Sequence, residues 1–269
     1  MVKRRRLDAE MVRRELVLTR SKAKELVEAG QVLVNGSVAI KVSRLVAVHD
    51  PIVISANRPQ FVSRGGNKLD AALCRFDLDV TGRAVVDVGA STGGFTDCVL
   101  QRGARSVVAI DVGYGQLDQR LRQDERVKVL ERTNVRYLEA AEITEPGELV
   151  VADLSFISLK LVFARLAALC EPEGDLLMLV KPQFEAGKAE ADRGQGVIRN
   201  PEVWHRVLLE VSEVVLKAEF QIMGLMKSPL LGANGNTEFF LHCRPSNGPA
   251  QKALNLKELV TETLEEARS

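Results

Sequence analysis

Apolar and polar positions change rhythm along the chain. Over the first 57 residues the apolar sets are short. Leu7, Val12 and Leu16 recur at helical spacing, and Asp8 can cap a helix running to about Leu18. Ser21 can cap a second helix, which Gly30 ends. Gln31-Val-Leu-Val-Asn-Gly36 then reads as a strand entering an Asn-Gly turn, a strong hairpin signal. Leu45 to Ile54 adds strand, interrupted at Asp50-Pro51. Two short helices and a small sheet predict an α+β domain over residues 1–57. Residues 58–62, Arg-Pro-Gln-Phe-Val, read as a linker, because proline disfavours regular structure.

Residues 63–269 follow a different pattern. From Arg83 onward apolar runs alternate with helical stretches, the signature of an α/β fold with a parallel sheet buried on both faces. Strands are predicted at Ala84–Val88, Val107–Ile110, Leu149–Ala152 and Leu176–Val180. Helices are predicted near 95–102, 116–124 and 160–170. Asn200-Pro201 opens a long helix with a capping residue and a proline where each is favoured. Strands near 220–226 and 237–243 read as an antiparallel pair at the sheet edge, and a last helix covers 255–267. Residues 183–199 are polar and Gly-rich and read as a loop.

Composition is that of an ordinary globular protein, 46% apolar and 27% charged. No apolar run approaches the ~20 residues of a membrane helix. The basic start, Met1 to Arg6, leads into charged rather than apolar residues, so no export signal is expected and the cytoplasm is the default location. Cys74, Cys98, Cys170 and Cys243 lie far apart without a CxxC pair, which argues against a metal site and a disulfide framework and makes them small core residues. Charge is unevenly spread. Residues 1–70 carry 14 Lys and Arg against 7 Asp and Glu, whereas the whole chain is only +1. A basic front module therefore precedes a mildly acidic body, and basic surfaces attract polyanions.

The chemistry concentrates at strand ends. Asp87-Val-Gly89-Ala-Ser91-Thr-Gly93-Gly94-Phe95 follows the first strand and opens a helix; its glycines allow a ligand close to the backbone. Asp111 ends the next strand, where a carboxylate can accept hydrogen bonds from the ribose of a nucleoside cofactor. Gly89-Ala-Ser91-Thr-Gly93 also fits the nucleophile elbow of α/β-hydrolases, but that chemistry needs a downstream histidine on a loop. His205 falls in a predicted helix and His242 in a predicted strand. Lys68, Asp153, Lys181 and Glu238 complete an acid–base set. A ribose hydroxyl is a poor nucleophile until its proton leaves, and a lysine can take that proton only if its pKa drops from ~10.4 toward neutrality. Lys181 is the candidate base, with Lys68 supplying a like charge and Asp153 and Glu238 orienting it.

Family resemblances sharpen this picture. Arg6-Leu-Asp-x-x-Met-Val-Arg-Arg14 and Thr19-Arg-Ser-Lys-Ala-Lys24-Glu-Leu-Val-x-x-Gly30-x-Val-x-Val-Asn35-Gly36 resemble the S-four RNA-binding domain. The resemblance implies that Arg4, Arg6, Arg13, Arg14, Arg20, Lys22, Lys24 and Lys41 contact RNA. Lys68, Asp153, Lys181 and Glu238 are similar to the Lys–Asp–Lys–Glu tetrad of FtsJ-type ribose 2′-O-methyltransferases. The whole chain resembles the TlyA family, through Ser63-Arg-Gly-Gly-Asn-Lys-Leu69, the glycine turn, Asp111-Val-Gly-Tyr-Gly-Gln116-Leu, Leu130-Glu-Arg-Thr-Asn134, Ala152-Asp-Leu-Ser-Phe-Ile-Ser158 and Val180-Lys-Pro-Gln-Phe-Glu185. This implies a Rossmann-like class I methyltransferase domain that binds S-adenosyl-L-methionine through Asp87, Gly89, Ser91, Gly93, Gly94, Phe95, Asp111 and Asn134. It further implies 2′-O-methylation of cytidines in 16S and 23S ribosomal RNA, with both subunits as targets for the longer subgroup that the Lys-Arg-Arg-Arg-Leu-Asp start suggests. The family also carries the name haemolysin and a link to capreomycin-type antibiotics. A monomer is expected, with ribosomal RNA or subunits as partner. Tyr114 and Phe156 are candidate contacts for cofactor or a flipped base, with core packing the favoured role for Phe156 and for Trp204. The rival readings are a pore-forming haemolysin, for which no export signal or membrane-spanning pattern is seen, and a non-catalytic RNA-binding assembly factor, which would tolerate loss of Lys181.

Overall fold

The computed structural model describes residues 4–55, 59–143, 145–187, 190, 194–246 and 255–268. Contacts divide the chain into two units, Met1–Asn67 and Lys68–Ser269.

The first unit contains β1 (Arg4–Arg6), α1 (Leu7–Arg13), α2 (Arg20–Glu28), β2 (Val32–Val34), β3 (Ser37–Val38), β4 (Leu45–Ala47) and β5 (Ile52–Ile54). β1 pairs with β4, and β3-β2-β5 form a three-stranded antiparallel sheet. Leu7, Met11, Ala23, Val27, Val32, Val34 and Val46 make its core. The Asn-Gly hairpin forms as expected: Asn35 and Gly36 have φ of 54° and 80°, the left-handed pair that a tight hairpin turn requires. Two helix boundaries differ from expectation. α1 stops at Arg13, and Glu15 at φ 57° breaks the chain direction before Leu18. Thr19, not Ser21, caps α2 by accepting from the Lys22 amide at 3.1 Å. Asp8 caps nothing beyond its neighbour because its carboxylate is taken by Arg6 and Arg20.

Asp8 and Glu10 are buried carboxylates, Asp8 gripped by Arg6 and Arg20 and Glu10 by Arg5, Arg13 and Arg14. Hydrogen bonds from Arg13 first, and Arg14 next, hold Glu10 down at about 2 despite its burial. Arg14 goes further: it donates to the carbonyls of Asp50 at 2.7 Å and Ala47 at 2.9 Å, tying α1 to the turn after β4. The linker segment expected at 58–62 has Arg58 outside the described residues; Phe61 and Val62 are buried, and the Val62 carbonyl accepts from the Val38 amide.

A third helix, α3 (Arg64–Arg75), was not foreseen, since Gly65-Gly66 lowers helix propensity. Gly66 is there for space: a Cβ would lie 2.3 Å from Phe61 Cγ. Next come β6 (Ala84–Val88), α4 (Gly94–Gln101), β7 (Ser106–Ile110), α5 (Gln119–Arg122), β8 (Val127–Leu130), β9 (Gly147–Ala152), α6 (Leu159–Ala168), β10 (Cys170–Val180) and α7 (Pro182–Glu185). The unit closes with α8 (Pro201–Lys217), β11 (Phe220–Lys227), β12 (Phe239–Pro245) and α9 (Leu256–Arg268). The seven strands follow the order β11-β12-β10-β9-β6-β7-β8. β6 to β10 pair in parallel, and β12 runs antiparallel between β10 and β11. This is the expected α/β sheet with its late antiparallel pair. β8 was missed because its four residues lie beside a helix that proved shorter than predicted. Part of the loop expected at 183–199 is α7 instead, and residues 188–189 and 191–193 lie outside the described residues.

Alternate strand residues such as Val86, Val88, Val108, Val150, Met178 and Leu241 share a core with α6, α8 and α9. Their neighbours Val85, Val107, Leu149, Val151 and Leu177 are buried as well, so both faces are covered. Asn200 caps α8 by accepting from the Glu202 amide. Of the four thiols, Cys98 and Cys243 are buried and Cys170 partly so; Cys74 is exposed, against expectation, and its Sγ accepts from Arg102 at 2.8 Å. Among the described residues no helix is long and apolar enough to cross a membrane.

Arg14→Ala should destabilise the first unit by about 1–3 kcal/mol, because it removes a charged hydrogen bond to buried Glu10 and the two that tie α1 to the carbonyls of Ala47 and Asp50. Arg13→Ala, at a more exposed site, should cost less than about 1 kcal/mol. Hydrogen exchange of amides 4–55 in the full-length protein checks this; equal losses in the two variants would show that Arg14 is no tie.

Candidate active site

With both faces of the sheet covered, polar side chains gather where strands end. Gly89 follows β6, Asp111 follows β7, Asp153 follows β9 and Lys181 follows β10. Glu238 precedes the antiparallel β12, and Val180 lies opposite Phe239, so Lys181 and Glu238 leave adjacent strands at the same edge. A cleft of about 1070 Å³ opens there, lined by Gly89, Ser91, Asp111, Asn134, Asp153, Ser155, Phe156 and Gln183 among others. That exceeds the ~300–1,000 Å³ of a typical small-molecule site and leaves room for a cofactor beside part of a second substrate.

The glycine turn forms one wall. Gly89 has φ 88°, and a Cβ on it would sit 2.5 Å from the Asp153 carbonyl oxygen. Gly93 has φ 94°, caps α4, and a Cβ there would meet Leu121 at 2.2 Å. Ser91, at φ 49°, is itself left-handed, and its amide donates to Asp111 Oδ2 at 2.8 Å. The Gly113 amide donates to Asp111 Oδ1 at 2.6 Å. Backbone donors thus fix the Asp111 carboxylate at the cleft, leaving lone pairs for ribose hydroxyls. Asn134 lines the same cleft, its Oδ1 accepting from the Arg136 amide. These residues fit a nucleoside cofactor. Gly94 begins α4; Phe95 is buried and packs on Phe240 at 6.2 Å, which makes it a support rather than a wall.

Asp87 lies under the turn, fully buried on β6. Thr96 Oγ1 donates to its Oδ2 at 2.6 Å, while Oδ1 has no partner. Burial first, then the charges of Asp153 and Asp111, push its carboxyl up to about 7 against the pull of Thr96.

The tetrad separates into two ion pairs. Lys181 Nζ lies 2.5 Å from Asp153 Oδ1 and donates to Ser155 Oγ at 3.1 Å. Lys68, on α3, donates to Glu238 Oε2 at 2.6 Å in a buried contact. Glu238 therefore orients Lys68 rather than Lys181, and the charge that Lys68 was expected to lend Lys181 is neutralised by its own partner.

Sequence reasoning missed Glu185. Its buried carboxylate accepts from Ser158 Oγ at 2.5 Å and from the Leu159 amide at 2.7 Å, closing the start of α6. Burial pushes its carboxyl up. Beside it Phe184 meets Phe156 at 5.2 Å. Three contacts in a row thus join the segment after β10 to the segment after β9: Lys181 to Asp153, Phe184 to Phe156, Glu185 to Ser158. A carboxylate four residues beyond Lys181, just before a capping serine's helix comes into reach, leaves no periodic signal in the sequence. Phe156 also departs from expectation. It is 92% exposed at φ 63°, not core. A strained, exposed aromatic persists only where its surroundings hold it. Tyr114 is exposed under the Arg132 guanidinium, 4.2 Å away, and Trp204 packs half-buried on Phe239.

No hydrolase triad forms. Ser91 Oγ faces Gln116 at 3.4 Å, His242 is bound to Asp175 at 2.6 Å, and neither His205 nor His242 lines the cleft. Burial opposes ionisation of Asp175, but hydrogen bonds from His242, Arg244 and Arg83 hold it below the usual carboxylate range.

In the first unit, Arg6, Arg13, Arg14 and Arg20 are anchored on Asp8 and Glu10. Lys22 and Lys24 pair with Glu25 and Glu28 along α2, and Arg4 and Lys41 are exposed. Arg14 faces inward; the others present their charge outward.

The FtsJ-like methyltransferase family matches residues 61–244 and the S4 domain matches residues 5–52. The 16S/23S rRNA (cytidine-2′-O)-methyltransferase TlyA of Mycobacterium tuberculosis is 44% identical over 99% of both chains. Hemolysin A of Brachyspira hyodysenteriae is 35% identical over 83% of this chain and 93% of its own. The solved structure of a hemolysin-named protein from Streptococcus thermophilus superposes with a TM-score of 0.76 at 37% identity, covering 100% of this chain and 98% of that one.

A group whose folded pKa is raised favours the folded state fully below its unfolded pKa and loses that advantage as pH climbs through the folded one. Asp87 should therefore cost stability progressively between about pH 4 and pH 7. In Asp87→Asn this cost is absent, so the Tm difference, variant minus wild type, should grow over that interval. Parallel Tm–pH profiles would rule out a titrating Asp87.

Proposed function

The chain belongs to the TlyA family of FtsJ-like methyltransferases, and from that premise we propose that it methylates the ribose 2′-hydroxyl of a cytidine in ribosomal RNA with S-adenosyl-L-methionine. The observation that carries the reading is the placement of Lys181 against Asp153 and Ser155, beside a cleft that the glycine turn and Asp111 also line. Such an acid–base set suits an acceptor hydroxyl that must lose a proton.

Asp111 and Asn134 would hold the nucleoside part of the cofactor, and the backbone of Gly89 to Gly94 would line its methionyl end, with Asp87 shaping the turn from beneath. When bound, S-adenosyl-L-methionine supplies an electrophilic methyl group on a positively charged sulfur. Lys181, in its neutral form, accepts the hydroxyl proton, and Asp153 with Ser155 sets its direction. Lys68 and Glu238 form the neutral pair that closes the neighbouring strand edge. Exposed Phe156, backed by Phe184, offers a face on which a base withdrawn from the helix can stack. In-line displacement owes much of its rate to positioning, which is what the three contacts around Lys181 provide. Arg4, Arg6, Arg13, Arg20, Lys22, Lys24 and Lys41 supply phosphate contacts, and we place the protein in the cytoplasm with its ribosomal substrate.

Lys181→Ala should lower methyl transfer to ribosomal RNA by at least about a hundredfold while RNA binding persists. Undiminished transfer would remove Lys181 as the base; wild-type protein that binds RNA but transfers nothing would favour an assembly factor. Arg20→Ala should weaken RNA binding and reduce the slope of log affinity against log salt by about 0.7–0.9, one phosphate's worth. A slope identical to wild type would take Arg20 off the RNA.

A further inference from the structure

Buried polar atoms almost always have a partner, and an orphaned acceptor costs about 1–3 kcal/mol. One orphan in the described residues is both neutral and part of the cleft. Gln183 lines it, and its Oε1 is buried with no hydrogen-bond partner. Gln183 stands on the single turn of α7 between Lys181, the residue that caps this turn, and Phe184, which backs Phe156. The candidate base is thus two residues before it, and the stacking pair begins one residue after it.

We propose that Gln183 reads the edge of the target nucleobase, its Oε1 accepting a hydrogen bond from the exocyclic 4-amino group of cytosine. The inference rests on the ribose-methylation reading above and names the group that selects its nucleoside. Three features argue for it. The missing partner is an N–H or O–H donor, and cytosine carries an amine where uracil carries an acceptor oxygen. An amide can pair twice with cytosine, accepting from the amine and donating to N3. The alternative donor, the cofactor's ammonium, is a charge, and a buried charge is matched by a carboxylate such as Asp153 rather than by a neutral amide.

The test compares two target nucleosides in an otherwise identical ribosomal RNA fragment, placed at the nucleotide the wild-type protein methylates. One is cytidine; the other is the 2-pyrimidinone riboside, which lacks only the 4-amino group. Wild-type kcat/KM should fall about tenfold to a hundredfold on losing the amine. Gln183→Leu should lose a similar factor on cytidine and be indifferent to the amine. Gln183→Glu, which retains the acceptor, should keep the dependence, and this guards against a variant that merely folds poorly. Calorimetric affinity of Gln183→Leu for S-adenosyl-L-methionine should match wild type. A Gln183→Leu variant that still prefers the amine overturns the inference, as does weakened cofactor affinity, which would assign the acceptor to the ammonium. A wild-type protein that methylates no ribose overturns the underlying reading as well, and is seen before any variant is made.

Discussion

Burial of the central sheet on both faces governs the rest of the catalytic unit. β6, β7, β9 and β10 carry apolar side chains to either side, with helices pressed on them, so a charged group within a strand has no water to turn to. The exceptions prove costly or are heavily compensated. Asp175 survives inside β10 because two arginines and a histidine surround it. Asp87 survives inside β6 by holding its proton toward neutrality. Asp111, Asp153 and Lys181 stand instead where strands stop, and parallel strands stop at one edge. Asp111, Asp153 and Lys181 therefore meet at a common cleft without any long loop to bring them together.

At that edge, pairing decides chemistry. Two lysines and two carboxylates could be joined in more than one way, and the antiparallel β12 selects among them by bringing Glu238 to the sheet edge beside the end of β10. Lys68 then takes Glu238, and Lys181 takes Asp153. Glu185 adds a buried hydrogen-bonded latch behind Lys181, where the amide end of α6 favours a negative partner. The segments after β9 and β10 thus behave as one piece, which matters for a reaction that depends on holding two substrates in line.

The first unit applies a similar economy to a different end. Its arginines are not simply spread over a surface. Buried Asp8 and Glu10 hold five of them in fixed directions at the expense of some net charge, leaving the guanidinium edges presented outward while Arg14 is turned inward to lock α1 to the turn after β4. Ordering these long side chains in advance reduces the entropy lost when they meet phosphates.

Local sequence pattern determined six of the seven strands of the sheet, the Asn-Gly hairpin, the capped helix at Asn200 and the division into a basic front and an α/β body, because each depends on residues adjacent in the chain. The resemblance motifs, equally local, pointed to Lys68, Asp153, Lys181 and Glu238. Helix α3 stayed hidden behind two glycines, of which Gly66 is needed for a close approach to Phe61, and β8 behind its shortness. What only the tertiary structure decided is partnership: which lysine holds which carboxylate, that Phe156 faces solvent instead of the core, that Glu185 closes α6, and that Gln183 is left with an acceptor unmatched. These are contacts between segments far apart in sequence, set by strand order and register, and no spacing along the chain encodes them.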